Sequence, residues 1–212
     1  MWPFSKRTDP TVELWQWFTR NCRRFEMEEP DQEAYRQLTS LIKGVDRGLT
    51  YEMAHGETWE IAISADGMPE LIPTVRAVVE QAPAINGWKV LAFRQASTVP
   101  PVITVFDQEL TPENVFFSVE GAKDGVSDLV LYMPGIQDET TFDMVGMAST
   151  FGLTEQGYFR HMAHCAMLLM EALIGEHAVM TRIGEVEYES SEGMPEGARP
   201  LAELPSVVHA VV

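Results

Sequence analysis

The sequence predicts an α+β fold: a single domain over residues 1–212, with a largely antiparallel sheet of about seven strands covered by about four helices. Three observations lead there. The apolar period is helical until about residue 48 and switches to two at Leu49. Later segments group as strands, a helix, strands, a helix and a strand, without the regular alternation that a doubly wound parallel sheet requires. Finally, 212 residues that are 45% apolar suffice to bury one substantial core.

The elements follow in order. Asp9-Pro10 is an N-cap followed by proline at the first helical position, where a missing N–H costs nothing. Leu14, Trp15, Phe18, Cys22 and Phe25 then form one apolar stripe. A second helix is expected after Pro30, with Asp31 and Glu33 in its first turn and Tyr35, Leu38, Leu41, Ile42 and Val45 on one face. Leu49, Tyr51 and Met53, then Trp59, Ile61 and Ile63, alternate as the two strands of a hairpin. Asp66-Gly67 ends it, and a helix carrying Leu71, Val75, Val78, Val79 and Ala82 runs from Pro69 towards Pro83. After the Asn86-Gly87 turn, Trp88 to Phe93 reads as a strand, and Val102 to Phe106 as a short one. Val115 to Val119 and Leu129 to Met133 form a pair joined by a Gly121 to Gly125 loop. Residues 134–154 are expected to be irregular, with at most a short helix. A long helix follows Thr154, its core face formed by Phe159, Met162, Ala166, Leu169 and Leu173, and Gly175 ends it. Val179 to Tyr188 is expected to be the last strand or half of a hairpin. Residues 1–8 and 190–212 are read as peripheral, the tail anchored by Leu201, Leu204, Val207 and Val208. No internal repeat is visible in the sequence.

The net charge of −17 is unevenly spread. Residues 1–24 hold five basic against two acidic side chains, a net +3; residues 95–159 hold Lys123 against ten acids, a net −9. Such a surface repels nucleic-acid phosphates and anionic lipid and steers a basic protein or a cation towards it, though keeping a cytosolic protein soluble explains the same acidity. Nucleic acid is not an expected partner. Cys22 and Cys165 suggest two reduced thiols, not a disulfide framework. The opening residues lack a secretory apolar core, and no run reaches the roughly 20 apolar residues of a membrane span, so a cytoplasmic location is expected. Trp2 is expected to pack on the domain instead of anchoring it to a membrane.

Three constellations carry chemistry-bearing residues. Ser64, Asp66 and Gly67 sit at a strand end before a helix, a place for a nucleophile or an anion-holding nest, though turn formation by Asp66 and Gly67 explains the same residues. His161, His164 and Cys165 have i, i+3, i+4 spacing, but a stripe centred on Met162 turns His164 to solvent with Arg160 and Glu171. No metal site or cofactor is expected from them. Glu185, Glu187 and Glu189 alternate on one strand face, which like-charge repulsion keeps solvated while Val186 and Tyr188 turn inward. The Arg20, Arg23 and Arg24 cluster is expected to pair with Glu26, Glu28 and Glu29.

The run Trp59-Glu-Ile-Ala-Ile-Ser-Ala-Asp-Gly, then Ala82-Pro83 and Asn86-Gly87-Trp88-Lys-Val-Leu-Ala-Phe-Arg94, resembles a bacterial domain family of unknown function. Trp15-Gln16-Trp17-Phe18 and Gly175-Glu176 fit the same pattern, so the resemblance spans about Leu14 to Glu189. It implies an intact single domain and transfers no catalytic residue; Ser64, Asp66, Trp88 and Arg94 become places to look.

Two functions compete. The first is a non-enzymatic interaction protein of immunity or adaptor type, meeting a basic partner through Glu185, Glu187 and Glu189. The alternative is a small-molecule binder or enzyme with a cleft near the Ser64-Asp66-Gly67 turn, Arg94 clamping an anion. The sequence holds no triad, metal motif or phosphate loop, which points away from an enzyme. An exposed sheet edge also leaves a homo-oligomer open.

Overall fold

The computed structural model describes residues 8–29, 31–99, 101–106, 108–135 and 155–210. Residues 1–7 with Trp2, and almost all of the 134–154 segment expected to be irregular, lie outside them. The fold is α+β, with six α-helices among the described residues. The single seven-stranded sheet is not what forms: among the described residues nine strands divide into sheets of three, two and four. The chain divides into two compact units, residues 1–94 and 95–212.

In the first unit α1 (Pro10–Asn21) begins as the sequence dictates, the Asp9 carboxylate accepting from the Thr11 N–H at 2.8 Å. Such a cap contributes about 1 kcal/mol. Helix α2 (Gln32–Val45) is capped by Asp31, which accepts from the Glu33 and Ala34 amides. Asp31 also takes Arg24 at 2.8 Å, so Arg24 pairs with the cap of the next helix and not with Glu26, Glu28 or Glu29. The Arg24 hydrogen bond, then the Ala34 amide, hold the Asp31 carboxyl below the usual carboxylate range.

β1 (Thr50–His55) pairs antiparallel with β2 (Trp59–Ser64), and a short 3₁₀ turn plus α3 (Ile72–Glu80) return the chain to β3 (Trp88–Ala92), parallel to β2. Alternation puts Tyr51 and Met53, Trp59, Ile61 and Ile63, and Trp88 on one face. Helices cover that face: Phe18 and Phe25 pack on Trp88, with ring centroids 5.1 and 6.3 Å away, and the Tyr51 hydroxyl reaches the Tyr35 carbonyl of α2. Trp15 ties α1 to α3 by donating Nε1–H to the Val78 carbonyl, 2.8 Å away in the core.

In the second unit β4 (Ile103–Val105) and β5 (Gln108–Leu110) form a small hairpin, and β6 (Phe116–Lys123) and β7 (Val126–Met133) a long one. Its turn is tighter than the expected Gly121 to Gly125 loop: Asp124 and Gly125, at φ 54° and 80°, make a two-residue reversal. Two left-handed positions match strand twist, so the strands continue to the turn. Helix α4 (Glu155–Ile174) ends at Gly175, φ 84°, and α5 (Glu176–Arg182) leaves at 107° to it. Val179 is therefore helical, and the last long strand is β8 (Ile183–Ser190), parallel to β7. The two-residue β9 (Arg199–Pro200) closes the sheet order β8-β7-β6-β9, before α6 (Leu204–Ala210). Leu201, Leu204 and Val208 are buried.

The core of this unit joins Phe117, Leu129, Leu131 and Met133 of the sheet to Tyr158, Met162, Cys165, Ala166 and Leu169 of α4. The buried stripe of α4 is thus one residue out of phase with expectation at its start: Tyr158 is inside and Phe159 is 37% exposed. Glu171, expected in solvent, is 1% exposed. At the end of α4 the chain bends by 107° into α5, and the Ser97 N–H bonds the Ala172 carbonyl at 2.7 Å. Among the described residues no single helix is long and apolar enough to cross a membrane.

Candidate functional site

The Asp66 turn belongs to the first unit. Ser64 ends β2 with no exposed surface, its Oγ accepting from the Asp66 N–H at 2.9 Å. Asp66 and Gly67 both take positive φ, 53° and 77°, which reverses the chain after the strand. Arg94 follows β3 and reaches back across the sheet. Its guanidinium lies 2.9 Å from Asp66 Oδ1, 3.3 Å from Thr50 Oγ1 and 3.7 Å from Glu52 Oε2, and its side chain is only 15% exposed. The sequence-derived residues Ser64, Asp66, Gly67 and Arg94 are therefore neighbours, but their polar groups face one another. The hydroxyl is sealed in, and the cation is already neutralised by two carboxylates. Chemically this is a lock joining the ends of β1, β2 and β3.

His161 and His164 are exposed on α4, and the His161 ring lies 5.4 Å from that of Phe106. The Cys22 and Cys165 thiols are free and buried. Burial pushes both thiols up, with the Glu26 charge adding to the effect at Cys22, so neither is a ready thiolate. Among the described residues no group of three or more His, Cys, Asp or Glu side chains is placed to hold a metal ion.

The second unit gathers acidic groups instead. Strand β8 alternates as its sequence dictates, with Glu185, Glu187 and Glu189 exposed, Val186 and Tyr188 half-buried on the core side. Register brings two further acids to them. Asp128 of β7 and Val130 lie on the face of Glu187, because Val130 pairs with Glu187. Two bulges meet at Asp128: Glu120 is the extra residue of β6 between Val119 and Gly121, and Gly184 and Glu185 together oppose Asp128. Bulges bend a sheet and re-aim side chains. Here they fold the face into a concavity of about 190 Å³ lined by Glu120, Asp128, Val130, Glu185 and Glu187, with Gly121 and Leu129.

No family model, curated protein or solved structure matches this chain. The acidic concavity has to be read from its own chemistry.

Asp128 Oδ1 accepts the Glu185 N–H at 2.9 Å, and Ser118 donates to Glu120 Oε1 at 2.9 Å while meeting the Tyr132 hydroxyl at 3.2 Å. Two of the acids are thus held in place by the sheet itself. Among the described residues no lysine or arginine forms an ion pair with Glu120, Asp128, Glu185, Glu187 or Glu189. Glu120 and Asp128 belong to the acidic 95–159 segment, but only strand register and two bulges bring them beside β8. The period-two glutamates are a local signal; the pairing is not.

Proposed function

We propose that the protein is a non-enzymatic interaction protein that docks a basic protein partner on the acidic face of its four-stranded sheet. The observation that carries this reading is the convergence of Glu120, Asp128, Glu185 and Glu187 from three adjacent strands into one concavity. Like charges brought together raise one another's energy, and a lysine or arginine from a partner relieves that repulsion while gaining charge-assisted hydrogen bonds. The net charge of −17 adds long-range steering of a basic protein. The small-molecule alternative at the Asp66 turn is less well supported, since an anion there has to displace Asp66 and Glu52 from Arg94.

The test compares affinity capture by the wild-type chain with capture by an E185Q/E187Q/E189Q variant, from extracts of the cells that make the protein, at low and high salt. The expected result is a basic protein held by the wild type at low salt and lost both at high salt and in the variant. Equal capture by the two forms, or a partner indifferent to salt, contradicts the proposal.

A further inference from the structure

The two units repeat one topology that the sequence does not display. In each, an antiparallel hairpin is followed by a helical crossover to a strand parallel to the hairpin's second strand: β1-β2, α3, β3 in the first and β6-β7, α4 with α5, β8 in the second. By this correspondence β1 is the counterpart of β6, and Tyr51 is the counterpart of Phe117, each the second residue of its strand and each on the helix-covered face.

The two counterpart edges are treated differently. The outer edge of β6 is filled by the chain's own extended segment, Arg199–Pro200, running antiparallel, with the Leu201 N–H donating to the Val115 carbonyl at 2.8 Å. The Arg199 guanidinium sits over the Phe117 ring, 5.2 Å from its centroid. Among the described residues the outer edge of β1 is the edge of its sheet, and beside it lies a groove of about 520 Å³. Tyr35, Thr39, Ile42 and Lys43 of α2 form one wall, the Lys43 Nζ donating to the Arg47 carbonyl at 2.9 Å; Tyr51, Glu52 and Met53 of β1 form the other.

We infer that this groove takes an extended segment of a partner protein, added antiparallel to β1, with a basic side chain over the Tyr51 ring as Arg199 lies over Phe117. A strand edge offers N–H and C=O groups at strand spacing, which an incoming strand satisfies in full. The Tyr51 ring supplies a cation–π face, and the net charge of −17 favours a basic side chain over it. A second copy of this chain is the poorer occupant, because each copy carries −17. This site lies on the first unit and does not depend on the acidic face of the second.

The probe is a blocked Val-Arg-Val-Arg-Val peptide titrated into the full chain and followed by amide NMR. Shifts are expected at Leu49 to Ala54 and along α2. Two further peptides are N-methylated on alternate residues; one frame is expected to weaken binding about tenfold and the other to leave it unchanged, since only one frame faces β1. Y51A is expected to weaken binding about fivefold and Y51F to bind as the wild type does. Equal binding of both methylated frames or of a Glu-for-Arg peptide overturns the inference. So do shifts confined to Glu185 to Glu189, absence of binding at millimolar peptide, or self-association of the chain through β1.

Discussion

At the residue scale Asp66 shows how one side chain serves conformation and charge together. It occupies the left-handed region at φ 53°, accepts Arg94 at 2.9 Å, and anchors the turn on Ser64. Asparagine tolerates that φ but carries no charge; alanine loses both properties. Asp66→Asn is therefore expected to destabilise by about 1–2 kcal/mol, and Asp66→Ala by roughly 1–2 kcal/mol more, read by urea unfolding. Equal losses in the two variants contradict the conformational half of this account. Asp66-Gly67 was legible as a turn because the dipeptide has few alternatives. The Arg94 pairing was only partly legible: its nearness to Asp66 follows from β3 lying parallel to β2, which brings the residue after one strand beside the turn after the other. Glu171 is buried although the phase of α4 places it towards solvent, because helical phase speaks for one helix alone.

At the element scale the acidic face depends on glycines that make room for an acid. A Cβ at Gly184 would collide with Asp128 Oδ1, and one at Gly121 would come within 3.2 Å of Asp128 Oδ2. Asp128 in turn holds the β8 bulge by accepting the Glu185 N–H. Gly184→Ala is expected to cost about 1–3 kcal/mol, and most of that cost is expected to vanish in an Asp128→Ala background, because the clash partner is gone. A cycle with no coupling between the two sites contradicts this arrangement. Helices α1 and α2 and the β1-β2 hairpin were readable from caps and period because their information is local. The strand β9, two residues long, and the α5 turn of helix before β8 were not, since neither is long enough to show a period. The division into three sheets was equally hidden: β7 finds β8 only after the α4 and α5 crossover, and no local pattern encodes that choice.

At the scale of the whole molecule, charge and topology carry the proposal. The chain carries a net charge of −17, and the fold concentrates four of its acids from three strands in one concavity, the feature on which the proposed basic partner rests. The repeated hairpin and crossover topology lies below the sequence, since the two units share strand order and not residues. The claim at the centre of this account is that basic groups of a partner contact those acids. Zero-length carbodiimide coupling tests it most directly, because it joins a carboxylate only to an amine already in contact with it. With the partner captured at low salt, mass spectrometry of the coupled complex is predicted to find its lysines joined to Glu120, Asp128, Glu185 or Glu187. Partner lysines joined only to carboxylates outside those four contradict the claim.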